Sequence, residues 1–382
     1  MSRQNEQEIP SLYAELQQIP DPRQAQGKRH PLPAMLSLAC VALLCGRQTI
    51  LAIAEWVRDY GQPYLQRFGF THPEPPGQAT WYRVLGALEW AELEARAYTW
   101  AQQVVRVLGD KGSLLGIAID GKTLRGSKQQ GAVDAHLLSA VVHELGLTLL
   151  QIAVADKTNE IGAVSELLGQ LVMEGYVFTA DALLTQRDVA ETIVSHQGDY
   201  VFVVKDNQPG LREDIELLFT CPPPQVKGVT QPTAHSQDGE HGRIESRTLQ
   251  ASTALNDYLD WPGVAQVFQL VRRRIEKKSG TESIEITYGI TSLSAERASA
   301  AQLLTLVRQH WTIENRSHWV RDVVFDEDRA QTRRRHLPHV MATLRNLVIG
   351  LLRSTGVAQI ASARRHFAAC PDEALRLLGL PA

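Results

Sequence analysis

Asp120, Asp181 and Glu314 are the residues whose types and settings suit shared chemistry. Asp120 closes the apolar run LLGIAID and Asp181 closes YVFTAD, so each reads as a carboxylate at a strand end. Glu314 lies in RQHWTIENRSHWVRD, which reads as helical. Carboxylates at strand ends beside one on a covering helix can converge on a point. Like charges that close cannot all stay ionised unless cations fill the space, and oxygen-only ligands select Mg²⁺ or Mn²⁺. Two such ions suit phosphodiester cleavage, where a nucleophile must be made near neutral pH and a leaving oxygen stabilised. Each acid also has a plainer reading. An Asp after an apolar strand is commonly a turn or capping residue, and Asp181 precedes a helix expected near Gln186. Glu314 has acidic neighbours in Asp322, Asp326, Glu327 and Asp328, the last three reading as a solvated turn before Arg329.

The elements that must position these acids follow from the patterning. Residues 1–110 read as an all-helical domain, broken at DPRQAQGKRHP and THPEPPGQ, suited to DNA-end recognition or dimerisation. From Lys111 the pattern changes to short β-type runs, LLGIAID, HLLSAVVHE and LTLLQIAVAD, then an amphipathic helix from Glu160. The strand YVFTAD, a helix QRDVAETIVSHQ and the strand DYVFVV follow. That order predicts an α/β fold with a ribonuclease-H-like core, begun over 111–206. Residues 207–299, with a PPP tract at 222–224 and three β-type runs, predict a β-rich insertion interrupting the core. Residues 300–382 return to helix, carrying Glu314 and a helical C-terminal segment.

Composition narrows the class. With 44% hydrophobic and 21% charged residues, 382 residues are enough for two or three globular domains. Four cysteines form no CxxC pair, the start is polar, and the longest apolar stretch, LPAMLSLACVALLCG, is too short to span a bilayer. A cytoplasmic chain with a buried helix there is the expectation. The net charge of −3 argues against a protein that coats nucleic acid. Yet from Arg308 to Arg365 the basic residues are all arginine, whose forks suit phosphate, although a solvated helix surface would look the same.

Five motifs in order carry a family resemblance: IDGKTLRGS (119–127), TADALLTQ (179–186), GDYVFVVKDNQP (198–209), HGRIESR (241–247) and HWTIENRSHWVRDVVFDED (310–328). Over nearly its whole length the chain resembles the DDE transposases of bacterial insertion sequences, in the subgroup that includes the H-repeat-associated proteins. The resemblance implies that Asp120, Asp181 and Glu314 are the catalytic triad and bind two Mg²⁺ or Mn²⁺ ions per active site. It implies cleavage at transposon ends and strand transfer into target DNA, by a homodimer or larger assembly on terminal inverted repeats. Asp120 and Asp181 lie 181 − 120 = 61 positions apart, and Asp181 and Glu314 314 − 181 = 133, the excess being the insertion. Many relatives flank the third acid with Tyr, Arg and Lys, where this chain has Val307, His310 and Arg321. On α-helical spacing His310 and Arg321 share the face of Glu314.

Candidate DNA contacts are Lys122, Arg125 and Lys205, just past the strand ends, His241 and Arg243 in the insertion, and His310 and Arg321. The histidines His310, His318, His336 and His339 lack finger-like spacing and do not suggest zinc. Trp311 and Trp319, eight apart, are expected to share a buried face. Two other readings remain: a non-mobile descendant that binds DNA without transposing, and a metal-independent hydrolase with paired carboxylates.

Overall fold

Apolar spacing decides most of the elements. The fold comes from a computed structural model describing residues 9–24, 27–109, 112–125, 127, 135–154, 160–224, 231–239 and 242–380. His241, a candidate DNA contact, lies outside the described residues. Two compact units interleave along the chain: Met1–Ser113 with Gly121–Asn159 and Ile313–Ala382, and Leu114–Asp120 with Glu160–Thr312.

The first unit is mainly helical. It contains α1 (Leu12–Leu16), α2 (Leu32–Leu44), α3 (Ile50–Tyr60), α4 (Gln78–Ala87), α5 (Trp90–Leu108), α10 (Leu337–Ser354), α11 (Ile360–Ala369) and α12 (Pro371–Leu378). The apolar run LPAMLSLACVALLCG becomes α2, a helix buried nearly all round, as a segment hydrophobic on every face must be. None of the helices among the described residues is long and apolar enough to cross a membrane. The pattern from Ala79 to Gly109, continuous in sequence, divides into α4 and α5 where Leu88 turns extended, at ψ 130°, to bury its side chain. A hairpin of β2 (His136–Val142) and β3 (Leu147–Val154) packs against α5 and α10.

These three elements meet at a buried polar network. Gln151 on β3 donates through Nε2 to Glu94 Oε1 on α5 at 2.7 Å and to Thr343 Oγ1 on α10 at 3.0 Å. The Thr343 hydroxyl donates to the same carboxyl, Trp90 donates to Thr343 at 2.9 Å, and Asn346 donates to Gln151 Oε1 at 3.0 Å. Burial pushes the Glu94 carboxyl up to about 7, the hydrogen bonds pulling back only in part.

The second unit is a sheet with helices on it. Among its described residues the strand order is β1 (Leu115–Thr123, up to Asp120 in this unit), β4 (Tyr176–Ala180), β5 (Asp199–Val204), β9 (Glu282–Thr291), β8 (Gln266–Glu276), β7 (Arg243–Ser252) and β6 (Thr233–Asp238). The pairs β1–β4 and β4–β5 are parallel and the rest antiparallel. The crossover from β4 to β5 runs through α7 (Arg187–Ser195), which packs on α6 (Glu160–Gln170) and β5. The last residues of β1, in the first unit, adjoin β2, Leu124 N–H donating to Ala135 O at 2.8 Å.

The stretch 207–299 differs from a separate β-rich body. It opens with α8 (Pro209–Thr220), a helix that the β-type reading passed over, and its strand β9 pairs directly with β5. Gly289 makes that join possible: a Cβ there would lie 2.1 Å from the Phe268 ring and 2.6 Å from Phe202 O. Leu303 and Leu304 of α9 (Ala300–His310) bury against Leu249, Phe268 and Val201 on this sheet.

Glu94 yields a test of the first unit. A carboxyl raised in the folded state contributes stability that is full below its ordinary value and lost as pH rises through the folded one. Relative to Glu94→Gln, wild type should lose stability between pH 4.5 and about 7, by about 3 kcal/mol at 1.36 kcal/mol per pH unit. Urea titrations of both proteins measure that difference, because other groups titrating in the range, such as His310, act alike in each. Parallel pH profiles for the two proteins would refute the assignment.

Candidate active site

The parallel pairing of β1 with β4 sets the first two acids. Ile119 stands opposite Ala180, so Asp120 and Asp181 are the next residues on neighbouring strands, which run about 4.8 Å apart. The two residues therefore stand side by side where the β1–β4 pairing stops. Asp181 lies just past the end of β4, but Asp120 and Lys122 are still within β1, which departs from the strand end expected at Asp120. Asp181 is exposed and caps the short 3-10 turn Ala182–Leu184, not the helix expected near Gln186: its Oδ1 accepts from Leu183 N at 3.0 Å and Leu184 N at 3.4 Å. Two amides fix the carboxylate's orientation on one oxygen. Oδ2 accepts no hydrogen bond among the described residues. Such a half-used, exposed, all-oxygen donor beside Asp120 fits a hard divalent cation.

The loop that carries Asp181 is tied down by residues that sequence reasoning quoted but did not single out. Asn207 Nδ2 donates to Ala182 O at 2.6 Å and Thr185 O at 3.2 Å, and Gln208 Nε2 donates to Thr185 O at 3.2 Å. The Thr185 hydroxyl in turn donates to Val203 O at 2.7 Å. The motif KDNQP is thus a clasp on the motif TADALLTQ. The signal available in sequence was an amide side chain just past a strand end, near enough to bond a neighbouring loop's carbonyls.

His310 also sits in this unit, at the end of α9. Its Nδ1 lies 3.0 Å from Thr179 Oγ1, two residues before Asp181. Burial lowers the imidazole to about 4, although the Asp181 carboxylate pulls the other way. The ring is therefore neutral at ordinary pH, and offers a phosphate hydrogen bonding but no charge. Lys205 is exposed after β5. Arg243 lies 3.6 Å from Glu245, which Arg247 also holds at 2.8 Å, so part of its charge is already matched.

Glu314 belongs to the first unit, exposed at the start of a π-helical stretch, Ile313–His318, followed by a second, Val320–Val324. This departs from the expected α-helix. A turn closing on the fifth residue winds less per residue than one closing on the fourth, so seven residues no longer make two turns. Arg321 accordingly does not share the face of Glu314. It is 0% exposed, with Nε donating to Glu327 Oε2 at 2.7 Å, and that burial removes it from the DNA contacts. Lys122 is corrected likewise: it is 7% exposed and its ammonium is held by Asp322 at 2.6 Å. Arg125 stays exposed, 3.9 Å from Asp328. Trp311 and Trp319 are each 54% exposed, so neither is the core residue that their spacing predicts.

Glu327 corrects the reading of 326–328 as a solvated turn. It is buried, bonded by Arg321 and, at 2.9 Å, by Arg345 Nη1 on α10. Burial raises its carboxyl, but Arg321, Arg345 and Lys122 together outweigh that and hold it at about 2.

Comparisons with known proteins agree with the motifs. Residues 111–351 match the family described as the transposase DDE domain, and residues 13–101 match the domain family associated with it. The chain is similar to YncI of Escherichia coli O157:H7, named as a candidate transposase, at 31% identity over 360 residues, 90% of this chain and 88% of that one. It is 30% identical over 378 residues to YbfL of Escherichia coli K12, covering 96% of each. It is 29% identical over 381 residues to the H repeat-associated YhhI of the same strain, again covering 96% of each.

Glu327→Gln should strand two buried guanidiniums and cost roughly 3–5 kcal/mol. A depressed carboxyl stabilises above its ordinary value, and that stability is lost as pH falls from 4.5 through about 2. Wild type should therefore show an acid-side loss that the variant lacks. Urea midpoints within error of each other at pH 7 would rule the cluster out as a structural element.

Proposed function

The chain belongs to the DDE transposase family, in the subgroup of the H-repeat-associated proteins, and on that premise we propose that it cuts DNA at transposon ends and joins the freed end to target DNA. The observation that carries this reading is the pair of carboxylates, Asp120 and Asp181, on adjacent chain segments where the parallel pairing of β1 and β4 stops, within the matched domain. Glu314, exposed and in the matching motif, is the third acid of the proposed triad.

Bound Mg²⁺ or Mn²⁺, two ions in this proposal, would supply a water or 3′-hydroxyl nucleophile near neutral pH and neutralise charge on the leaving oxygen. Asp120, Asp181 and Glu314 would provide the oxygen ligands. The Leu183 and Leu184 amides orient Asp181. Asn207 and Gln208 keep its loop in place, and His310 holds Thr179, which backs the same strand end. Lys205 and Arg125, both exposed, remain proposed phosphate contacts, as does Arg243. Because two ends must be cut and joined together, the acting form is proposed to be a dimer or larger assembly on paired terminal repeats.

End-labelled duplex carrying the gene's own flanking repeats should be nicked at the repeat boundary with Mg²⁺, with no product in EDTA or with Asp120→Asn. Cleavage that survives EDTA would favour the paired-carboxylate hydrolase. Tight binding with no cleavage under Mg²⁺ or Mn²⁺ would favour a non-mobile, DNA-binding descendant. Asn207→Ala should cut the nicking rate by about 10²-fold, the scale of a displacement near 1 Å at a reacting group, while its thermal midpoint stays within a few degrees of wild type. A rate equal to wild type would dismiss the clasp.

A further inference from the structure

A groove of about 1130 Å³ lies wholly within the first unit, lined by one face of α4 and by the turn that leads into α10. Ala79, Tyr82, Arg83 and Gly86 of α4 line it at helical one-face spacing. Arg333, Arg334 and Arg335 come from the turn. All four arginines are exposed. Among the described residues no carboxylate lines the groove. Among the described residues Arg83, Arg334 and Arg335 form no ion pair there, although Arg83 donates to Thr80 Oγ1 at 3.2 Å.

On a chain whose net charge is −3, a concentration of guanidiniums with no carboxylate lining the same groove is not an average surface. Two further features add to it. Arg335 takes a left-handed backbone, φ +48°, a conformation that a non-glycine residue adopts only at a cost. The 18-residue α10 begins at this turn without a side-chain cap, so the positive end of its dipole adds to the same field.

We infer that this groove grips the sugar–phosphate backbone of duplex DNA, independently of sequence, as an anchor separate from the carboxylates. Guanidinium forks match phosphate oxygens two at a time, and several along one groove suit a run of phosphates better than a single anion. The volume exceeds that of an ordinary small-ligand pocket, roughly 300–1,000 Å³. The inference rests on the reading that the chain acts on DNA, but it requires no cleavage.

The test uses the full chain in an Asp120→Ala background, so that nothing is cut. Binding to a labelled duplex with the flanking repeat, and to an unrelated duplex of equal length, is measured across a salt series. Arg83→Gln and Arg335→Gly should each flatten the slope of log affinity against log salt by about 0.9, and together by about twice that, on both duplexes. Arg335→Gly should unfold at or above the wild-type temperature, because glycine enters the left-handed turn freely. Weaker DNA binding without lost stability is something that a purely structural arginine would not produce. An unchanged slope in the double variant overturns the inference, as does a loss confined to the repeat-bearing duplex, which would mean base readout. If the slope falls but wild type never nicks DNA, the groove stands and the strand-transfer reading falls. If wild type nicks normally but the slope is unchanged, strand transfer stands and the groove falls.

Discussion

The register between β1 and β4 is the constraint from which the site follows. Parallel strands exchange evenly spaced hydrogen bonds, so once Leu115 pairs with Tyr176 every later pair is fixed, up to Ile119 with Ala180. A slip of one residue would turn every side chain of β1 to the opposite face and separate the two acids. Apolar side chains on both faces, Ile117 and Ile119 on one strand and Val177 and Phe178 on the other, are fully buried and penalise any slip. The juxtaposition of the two acids is thus held by buried residues distinct from them.

A second constraint governs the stretch that carries Glu314. Its π-helical turns leave Glu314 at the surface while sending Arg321 inward to Glu327. Arg345 completes that cluster from α10, and its Nη2 donates to Gln48 O at 3.1 Å. Lys122 to Asp322 and Arg316 to Glu144 O, at 2.5 Å, tie the same stretch to the last residues of β1 and to the turn between β2 and β3. Buried charge is costly unless fully paired, so such a cluster tolerates few alternative arrangements.

Periodicity made the helices, the strands and the two acids closing apolar runs legible in sequence, because one buried face imposes a pattern that can be read locally. The motif match supplied Glu314, which spacing alone could not choose among its acidic neighbours. What stayed hidden depends on contacts distant in sequence. Arg321, Arg345 and Arg364 look like Arg333, Arg334 and Arg335 in a sequence row, yet the first three are buried and the last three exposed. Arg364 lies over the Phe325 ring at 4.0 Å, and burial lowers it to about 10. Nor does local spacing distinguish a π-turn from an α-turn, since the extra residue is absorbed by packing. α8 went unread because the PPP tract and the three β-type runs of the same stretch carried its reading as β-rich.

The pairing of β9 with β5 changes what the stretch 207–299 is for. A guest domain can be removed from a loop and leave its host intact. These strands instead occupy the hydrogen-bonding side of β5 from Val201 to Val204, and Gly289 lets the two backbones close on one another. Excised, they would leave β5 with a row of bare amides and carbonyls along a flat apolar strand, a template for pairing between molecules. A shortened chain without this stretch would therefore be prone to aggregate through β5, and any minimal version must keep β9 or replace it with another covering strand.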